Sequence, residues 1–364
     1  MRWTLLTSIC LAAALGARGQ ITNTATMDSA DYKVSGKVTI EGYVDTYYSY
    51  NFNNPANGDQ PYLVSMSRHN EFNINLAFVD LKYSSSRVRA RVVPGFGTYV
   101  NANYGNEAGS LKNLIEANAG VNLSKRKGIW LDIGVLGSPY TNESAISKDH
   151  LVYTRSLAAE NVPYYLSGLK LTVPLTKNAN TYFYLINGWQ QIRDQNTNKS
   201  FGSQVEYRPN NNMLINWNNY IGNESTAIDS VKGLRYFTDF YLLYVIKRIS
   251  IASCVYYGLQ ENVNNTYKWW QANLISRYDF TSTLSASLRI EYFSDANGVL
   301  IVPITGVEGF NVWGASAGIN LKIDDNFLFR TEARQFWSDD RLYIDNGNPS
   351  SASLTLTASF CAWF

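Results

Sequence analysis

Few residues in this chain carry reactive chemistry. His69 and His150 are its only imidazoles, and Ser144 and Ser147 are the serines close enough in sequence to His150 to suggest a serine–histidine pair. Neither serine sits in a nucleophile motif, so nothing local would activate it for acyl transfer. Metal ligands are equally thin, because no CxxC, HExxH or calcium-loop spacing occurs. The expectation is that the protein is not an enzyme and uses no metal or cofactor.

Charge is more informative. Arg87, Arg89 and Arg91 recur at every second residue, so on a strand they share one face. A row of guanidiniums on the wall of a pore would screen solutes by charge. The alternative is that Arg87 and Arg89 are solvated at a rim. Further charges fall on the polar faces of expected strands: Glu116, Asp132, Lys170, Glu206, Asp239, Arg289, Glu291, Arg330, Glu332 and Arg334. Both signs are present, which predicts paired charges and weak ion selectivity. An ion at membrane depth is costly unless paired or wet, so a watery lumen accounts for the whole set.

The stretch 139–164 adds Glu143, Lys148, Asp149, His150, Arg155 and Glu160, bracketed by Pro139 and Pro163. It is the longest connection in the chain. It is expected to fold inward as a constriction loop, with Glu143, Arg155 and Glu160 as its working charges and the last two facing the wall. The alternative is an external loop packed against its neighbours.

Strands must hold these residues in place. Alternating segments lie near 37–50, 72–83, 87–100, 113–124, 128–138, 165–174, 180–189 and 200–208. They continue near 213–222, 235–245, 249–260, 267–279, 284–295, 311–322, 327–337 and 353–364. Each is about long enough to cross hydrocarbon at a tilt. Connections alternate long and short along the chain, as in barrels with long external loops and short periplasmic turns. The last segment places Leu354, Leu356, Ala358, Phe360, Ala362 and Phe364 on one face and small, mostly hydroxylated residues on the other. That terminal aromatic resembles the closing strand of an outer-membrane barrel.

Composition agrees with this reading. The chain has 26 Tyr, 9 Trp and 16 Phe with a slightly negative mean hydropathy, as aromatic girdles around a polar bore would give. The expected fold is all-β: a transmembrane antiparallel up-and-down β-barrel of about 16 strands (14–18), with both termini in the periplasm. Such a barrel is too wide for side chains alone to fill and leaves an aqueous channel.

The chain starts with Arg2, an apolar run from Leu5 to Leu15, and Ala17-Arg18-Gly19, the pattern of an export signal. The expected organisation is a signal peptide over 1–19, a periplasmic lead-in over 20–36 and the barrel over 37–364. Removing Arg2 and Arg18 leaves 29 basic against 29 acidic residues, so no nucleic-acid partner is indicated. Asp28-Ser29-Ala30 resembles a short O-glycosylation acceptor. Cys254 and Cys361 both fall on polar faces and are not expected to pair. Trp130, Trp189, Trp217, Trp269, Trp270, Trp313, Trp337 and Trp363 are expected mainly as girdle residues near strand ends or on outward faces. Tyr43, Tyr47, Tyr164 and Tyr165 are candidates to line the bore.

Three stretches resemble the beta-barrel porin-2 (OmpL-like) family of outer-membrane proteins. The first is Glu41-Gly42-Tyr43-Val44-Asp45-Thr46-Tyr47-Tyr48, followed by Asn51-Phe52-Asn53-Asn54-Pro55. The second runs from Asn70 to Phe78. The third joins Glu143-Ser144-Ala145-Ile146-Ser147 to the run from Tyr153 to Tyr165. The resemblance implies a porin-like channel for passive diffusion of small hydrophilic solutes, set in outer-membrane lipid. Assembly as a trimer would need a flat apolar patch on the outer wall. The rival expectation is a non-conducting surface barrel, serving as an adhesin or structural protein through its long loops.

Overall fold

The computed structural model describes residues 36–225 and 232–364. The export signal, most of the lead-in and the Asp28-Ser29-Ala30 triplet lie outside the described residues. Fifteen consecutive strands come first. They are β1 (Lys37–Asn51), β2 (Phe72–Ser84), β3 (Val88–Phe96), β4 (Leu114–Ser124), β5 (Ile129–Gly137), β6 (Tyr165–Thr176), β7 (Ala179–Ile186) and β8 (Ser200–Asn210). Then follow β9 (Met213–Asn223), β10 (Lys232–Ile246), β11 (Ile249–Asn262), β12 (Thr266–Asp279), β13 (Leu284–Asp295), β14 (Phe310–Asp324) and β15 (Phe327–Trp337). A small hairpin, β16 (Tyr343–Asp345) with β17 (Asn348–Ser350), precedes the closing strand β18 (Ala352–Trp363). Each strand of the barrel pairs antiparallel with its neighbours, and β1 pairs with β18 to close a sixteen-strand barrel. Closure leaves no edge, as hydrocarbon demands of a sheet that crosses it.

The short connections are 85–87, 125–128, 177–178, 211–212, 247–248, 280–283 and 325–326, all at one end. The long ones, which we call loops one to eight, leave the opposite end; the sixth shrinks to residues 263–265. Strand three is shorter than its alternation predicts. Its pairing with β4 shifts at Val93/Pro94, because proline cannot donate to the ladder, and Thr98–Asn103 forms a helical turn in loop two.

Outward faces carry exposed apolar residues such as Ile40, Ile133, Phe240, Leu288 and Leu356. An aromatic row marks the long-loop end, with Trp270 near Tyr292 (5.0 Å between centroids) and Tyr292 near Trp313 (4.7 Å). Trp313 is also the register partner of Trp337. Phe327, Phe329 and Phe360 form a second row towards the other end. Such paired girdles suit the two interfaces of a bilayer.

Loop three, residues 138–164, connects β5 to β6. Gly134 and Gly168 are register partners on those strands, with φ of +134° and +153°. A Cβ on Gly134 would lie 2.2 Å from the Ala117 carbonyl oxygen, and one on Gly168 2.2 Å from that of Leu185. Beyond this pair the in–out alternation stops. Val135 and Leu136 are both buried, as are Tyr165 and Leu166. The two strands thus turn their ends inward and deliver loop three into the bore. Only glycine permits this backbone so close to its neighbours. Gly168→Val is therefore expected to unseat the loop. Trypsin should cut the variant at Lys148 or Arg155 while the wild-type barrel resists.

Candidate functional site

The wall charges form two groups. On β2–β5, Arg89 lies against Asp132 (2.7 and 2.5 Å) and stacks on Trp130, with its guanidinium carbon 4.5 Å from the ring centre. Arg91 bridges Asp80 (2.7 Å) and Glu116 (2.8 Å), and Lys82 adds a contact to Asp80 at 3.3 Å. Lys170, on β6, is the register partner of Asp132. Arg87 stands apart, exposed in the 85–87 turn. The second group lies on β13–β15. Arg289 contacts Glu332 (3.0 Å) and Glu291 (3.3 Å), while Arg334 contacts Glu291 (2.7 Å). All four side chains are at most 3% exposed. Glu206, on β8, pairs with Arg208 at 3.0 Å.

Loop three meets the second group directly. The backbone N–H of Thr154 donates to Glu332 (2.6 Å), and that of Leu157 donates to Glu291 (2.6 Å). Arg289 in turn donates to the Thr154 carbonyl (2.6 Å). Arg330 donates to the carbonyls of Ser147 (2.6 Å), His150 (3.1 Å) and Leu151 (3.1 Å). Further round, Thr141 N–H donates to Asp239 (2.6 Å), and Asn218 donates to the Pro139 carbonyl (3.1 Å). On the seam between β1 and β18, Asp45 accepts from Ser147 Oγ (2.9 Å), Tyr153 OH (3.0 Å) and Cys361 Sγ (3.3 Å). Loop three is thus tied to inward-facing groups on both sides of the barrel. The predicted loop charges divide between tasks. Glu160 accepts from the N–H groups of Val64 (2.7 Å) and Ser65 (3.1 Å) in loop one. Glu143 accepts from Ser156 N–H at 2.8 Å, and Arg155 stacks 3.8 Å from the centre of the Tyr164 ring.

An apolar seat completes the docking. Val152, Leu157, Ala158 and Val162 of loop three are buried in one cluster with Tyr256, Trp269 and Phe293 of the wall. This corrects the expectation that the tryptophans are mainly girdle residues. Trp217, Trp270, Trp313 and Trp337 do face outward, but Trp130 and Trp269 are buried on the inner face. Trp189 lies beyond the end of β7, which stops at Ile186, and stacks on Tyr140 of loop three. Hydrophobicity and position near a strand end suit both roles, so only register separates them. Sequence reasoning also passed over Asp45 and Asp80. Both sit on the polar parity of their strands, which was the available signal. Cys254 and Cys361 are free and buried.

The serine–histidine arrangement is not assembled. His150 Nε2 lies 2.8 Å from the Ser144 carbonyl oxygen, and Ser147 Oγ is engaged by Asp45 and by Tyr43 OH at 2.8 Å. His69 Nδ1 accepts from the Asn51 N–H at 2.9 Å. Burial, helped by Arg155 and Arg330, pushes the His150 imidazole from 6.5 down to about 3. A free loop would therefore bind a proton that the docked loop refuses. Docking is unpenalised above pH 6.5, weakens by up to about 1.4 kcal/mol per pH unit below it, and stops weakening near pH 3. Asp149 and Glu160 act oppositely, because burial raises both and favours the docked loop in acid. The histidine contribution is isolated by comparison with His150→Asn. Tryptic release of loop three in wild type, relative to that variant, is expected to grow between pH 6.5 and 3. A second expectation concerns the ion cluster. Arg289→Ala leaves Glu332 and Glu291 buried with less compensation and should cost about 3–5 kcal/mol, read as a lower unfolding midpoint.

With this geometry in view, comparison with known proteins is informative. The family described as "Putative beta-barrel porin-2, OmpL-like" matches residues 37–364. A search of curated proteins returns no match. Among solved structures, the outer-membrane channel DcaP of Acinetobacter baumannii superposes with a TM-score of 0.61 at 10% identity, covering 93% of this chain and 100% of that one. OmpF of Salmonella typhi, in complex with daunomycin, gives 0.60 at 10% identity, covering 91% and 98%. OmpT of Vibrio cholerae, an outer-membrane protein, gives 0.58 at 10% identity, covering 92% and 100%. At such identities these likenesses speak to the fold, a sixteen-strand porin-type barrel. The family match extends over all the described strands, and the chain belongs to the beta-barrel porin-2 family of outer-membrane proteins.

Proposed function

We propose that this protein is a passive outer-membrane channel for small hydrophilic solutes, with loop three as the element that sets its narrowest cross-section. The observation that carries this reading is the bonding of loop three to Glu291, Glu332, Arg289 and Arg330 on one side and to Asp45 on the other. A loop held that firmly across a bore defines a fixed aperture instead of sweeping through it. The short turns are assigned to the periplasm, with both chain ends, and the long loops to the cell exterior. Inward arginines on β3, β13 and β15 each have a carboxylate partner, which supports weak ion selectivity and gives the row at 87–91 little excess charge. No step of chemistry is assigned to the chain. One solved neighbour, OmpT of Vibrio cholerae, is described in a trimer form, and a trimer is the assembly we propose to test by crosslinking.

One observation favours a second reading. Many inward residues, including Asp45, Asp132, Asn218, Asp239 and Arg330, are no more than 1% exposed, so loop three and the wall pack closely. A barrel filled in this way would serve as a surface protein through its long loops. Single-channel recording in a planar bilayer separates the two. The channel reading expects discrete steps from folded wild-type protein, a reversal potential near zero in asymmetric KCl, and larger steps after deletion of 144–158. Silence from wild type with steps from the deletion variant would favour the surface-protein reading.

A further inference from the structure

Loop three does not seal evenly. Its apolar residues pack against the wall around β11–β13, but on the β2–β5 side a cavity of about 50 Å³ remains. One side of the cavity is Glu143 to Ile146, Arg155 and Tyr164 of loop three; the other includes Arg91, Glu116 and Phe78 of the wall. Several polar atoms that line it are buried without a hydrogen-bond partner: Arg155 Nε and Nη1, Glu143 Oε1, and the hydroxyls of Tyr99, Tyr140 and Tyr164. The nearest ion-pair contact of Glu143 Oε1 is Arg289 Nη1 at 3.9 Å. Arg155 is 2% exposed and Glu143 4%. Arg155 is held as a plate by Tyr164 at 3.8 Å and Tyr99 at 5.9 Å, with Nη2 donating to the Ala159 carbonyl at 2.9 Å. Groups of this kind are not left dry where water can fit, and a void of this size holds about three to five waters.

We infer that this cavity is a hydrated gap through the loop-three seal, that it passes water and small monovalent ions but not sugars, and that Arg155 and Glu143 are its charge-selecting residues. The inference rests on the channel reading above. Size follows from the volume: a few waters or a partly hydrated ion fit, whereas a hexose does not. Selection follows from charge placement. Arg91 and Glu116 already answer each other at 2.8 Å on the wall, so the loop-borne guanidinium and carboxylate are the groups left to face a passing ion. Removing one of them unbalances the gap in a direction fixed by its sign.

The test is the reversal potential of wild type, Arg155→Gln and Glu143→Gln in asymmetric KCl, each first shown to be folded by heat-modifiable mobility. The K⁺/Cl⁻ permeability ratio is expected to rise about twofold or more in Arg155→Gln and to fall comparably in Glu143→Gln. A merely structural role for either residue would alter conductance without shifts of opposite sign. Conducting variants that both keep the wild-type reversal potential, or that shift in the same direction, would overturn the inference while leaving the channel reading intact. A folded wild-type barrel that never conducts would instead bring down the channel reading and this inference with it. Sucrose or glucose flux into liposomes at a rate matching the ion conductance would overturn the size limit.

Discussion

The pairing of β1 with β18 is the interaction on which the rest of this molecule depends. It joins residues about three hundred positions apart, from Tyr43 with Trp363 to Asn51 with Thr355. Without it the sheet has two open edges in hydrocarbon, each a row of unpaired donors and acceptors. Phe364 extends the join by exchanging backbone hydrogen bonds with Gly42 at 3.0 and 3.1 Å. Closure also creates the first anchor of loop three. Asp45 and Cys361 are direct register partners across the seam, and Ser147 Oγ reaches both, at 2.9 and 3.3 Å. The barrel must therefore close before that part of the loop has a complete site to dock on.

Burying so many charges is tolerable because loop three supplies what the wall lacks. Glu291 and Glu332 are shut off from solvent, and an arginine alone does not fill the acceptor capacity of a carboxylate. Backbone N–H groups of Thr154 and Leu157 take up the remainder, while the loop's carbonyls accept from Arg289 and Arg330. The exchange is reciprocal: the loop would otherwise carry orphaned backbone groups into the bore. Carboxylates elsewhere do the same for other loops. Asp295 accepts from the N–H groups of Val299, Leu300 and Ile301, and Glu107 from that of Ile192. A set of acids that would look like a cation filter is thereby largely committed to holding backbone.

This commitment changes how charged positions in such a chain should be read. Alternation identified Arg289, Glu291, Arg330, Glu332 and Arg334 as inward-facing, and they do face inward. Alternation carries no information on whether an inward charge meets water or a folded-in loop. The same limit applies to aromatic residues. Trp269 and Trp270 are adjacent and chemically identical, yet one is buried against loop three and the other faces outward at 40% exposure. Parity sorts such neighbours once the register is known.

By itself, the sequence determined the all-β class, the number of crossing strands and the sorting of connections into long and short. The physical reason is that a half-apolar strand of fixed length leaves a period-two signal wherever it occurs, and a tight turn leaves a short gap. It also singled out loop three by length and charge. Tertiary structure decided where that loop goes, because entry depends on Gly134 and Gly168 facing each other across β5 and β6, and no local pattern reports that pairing. It likewise decided which charges answer one another. Arg289 meets Glu332 and Thr154, and Asp45 meets Ser147, over separations of 43 to 135 residues that only barrel closure and loop insertion bring together.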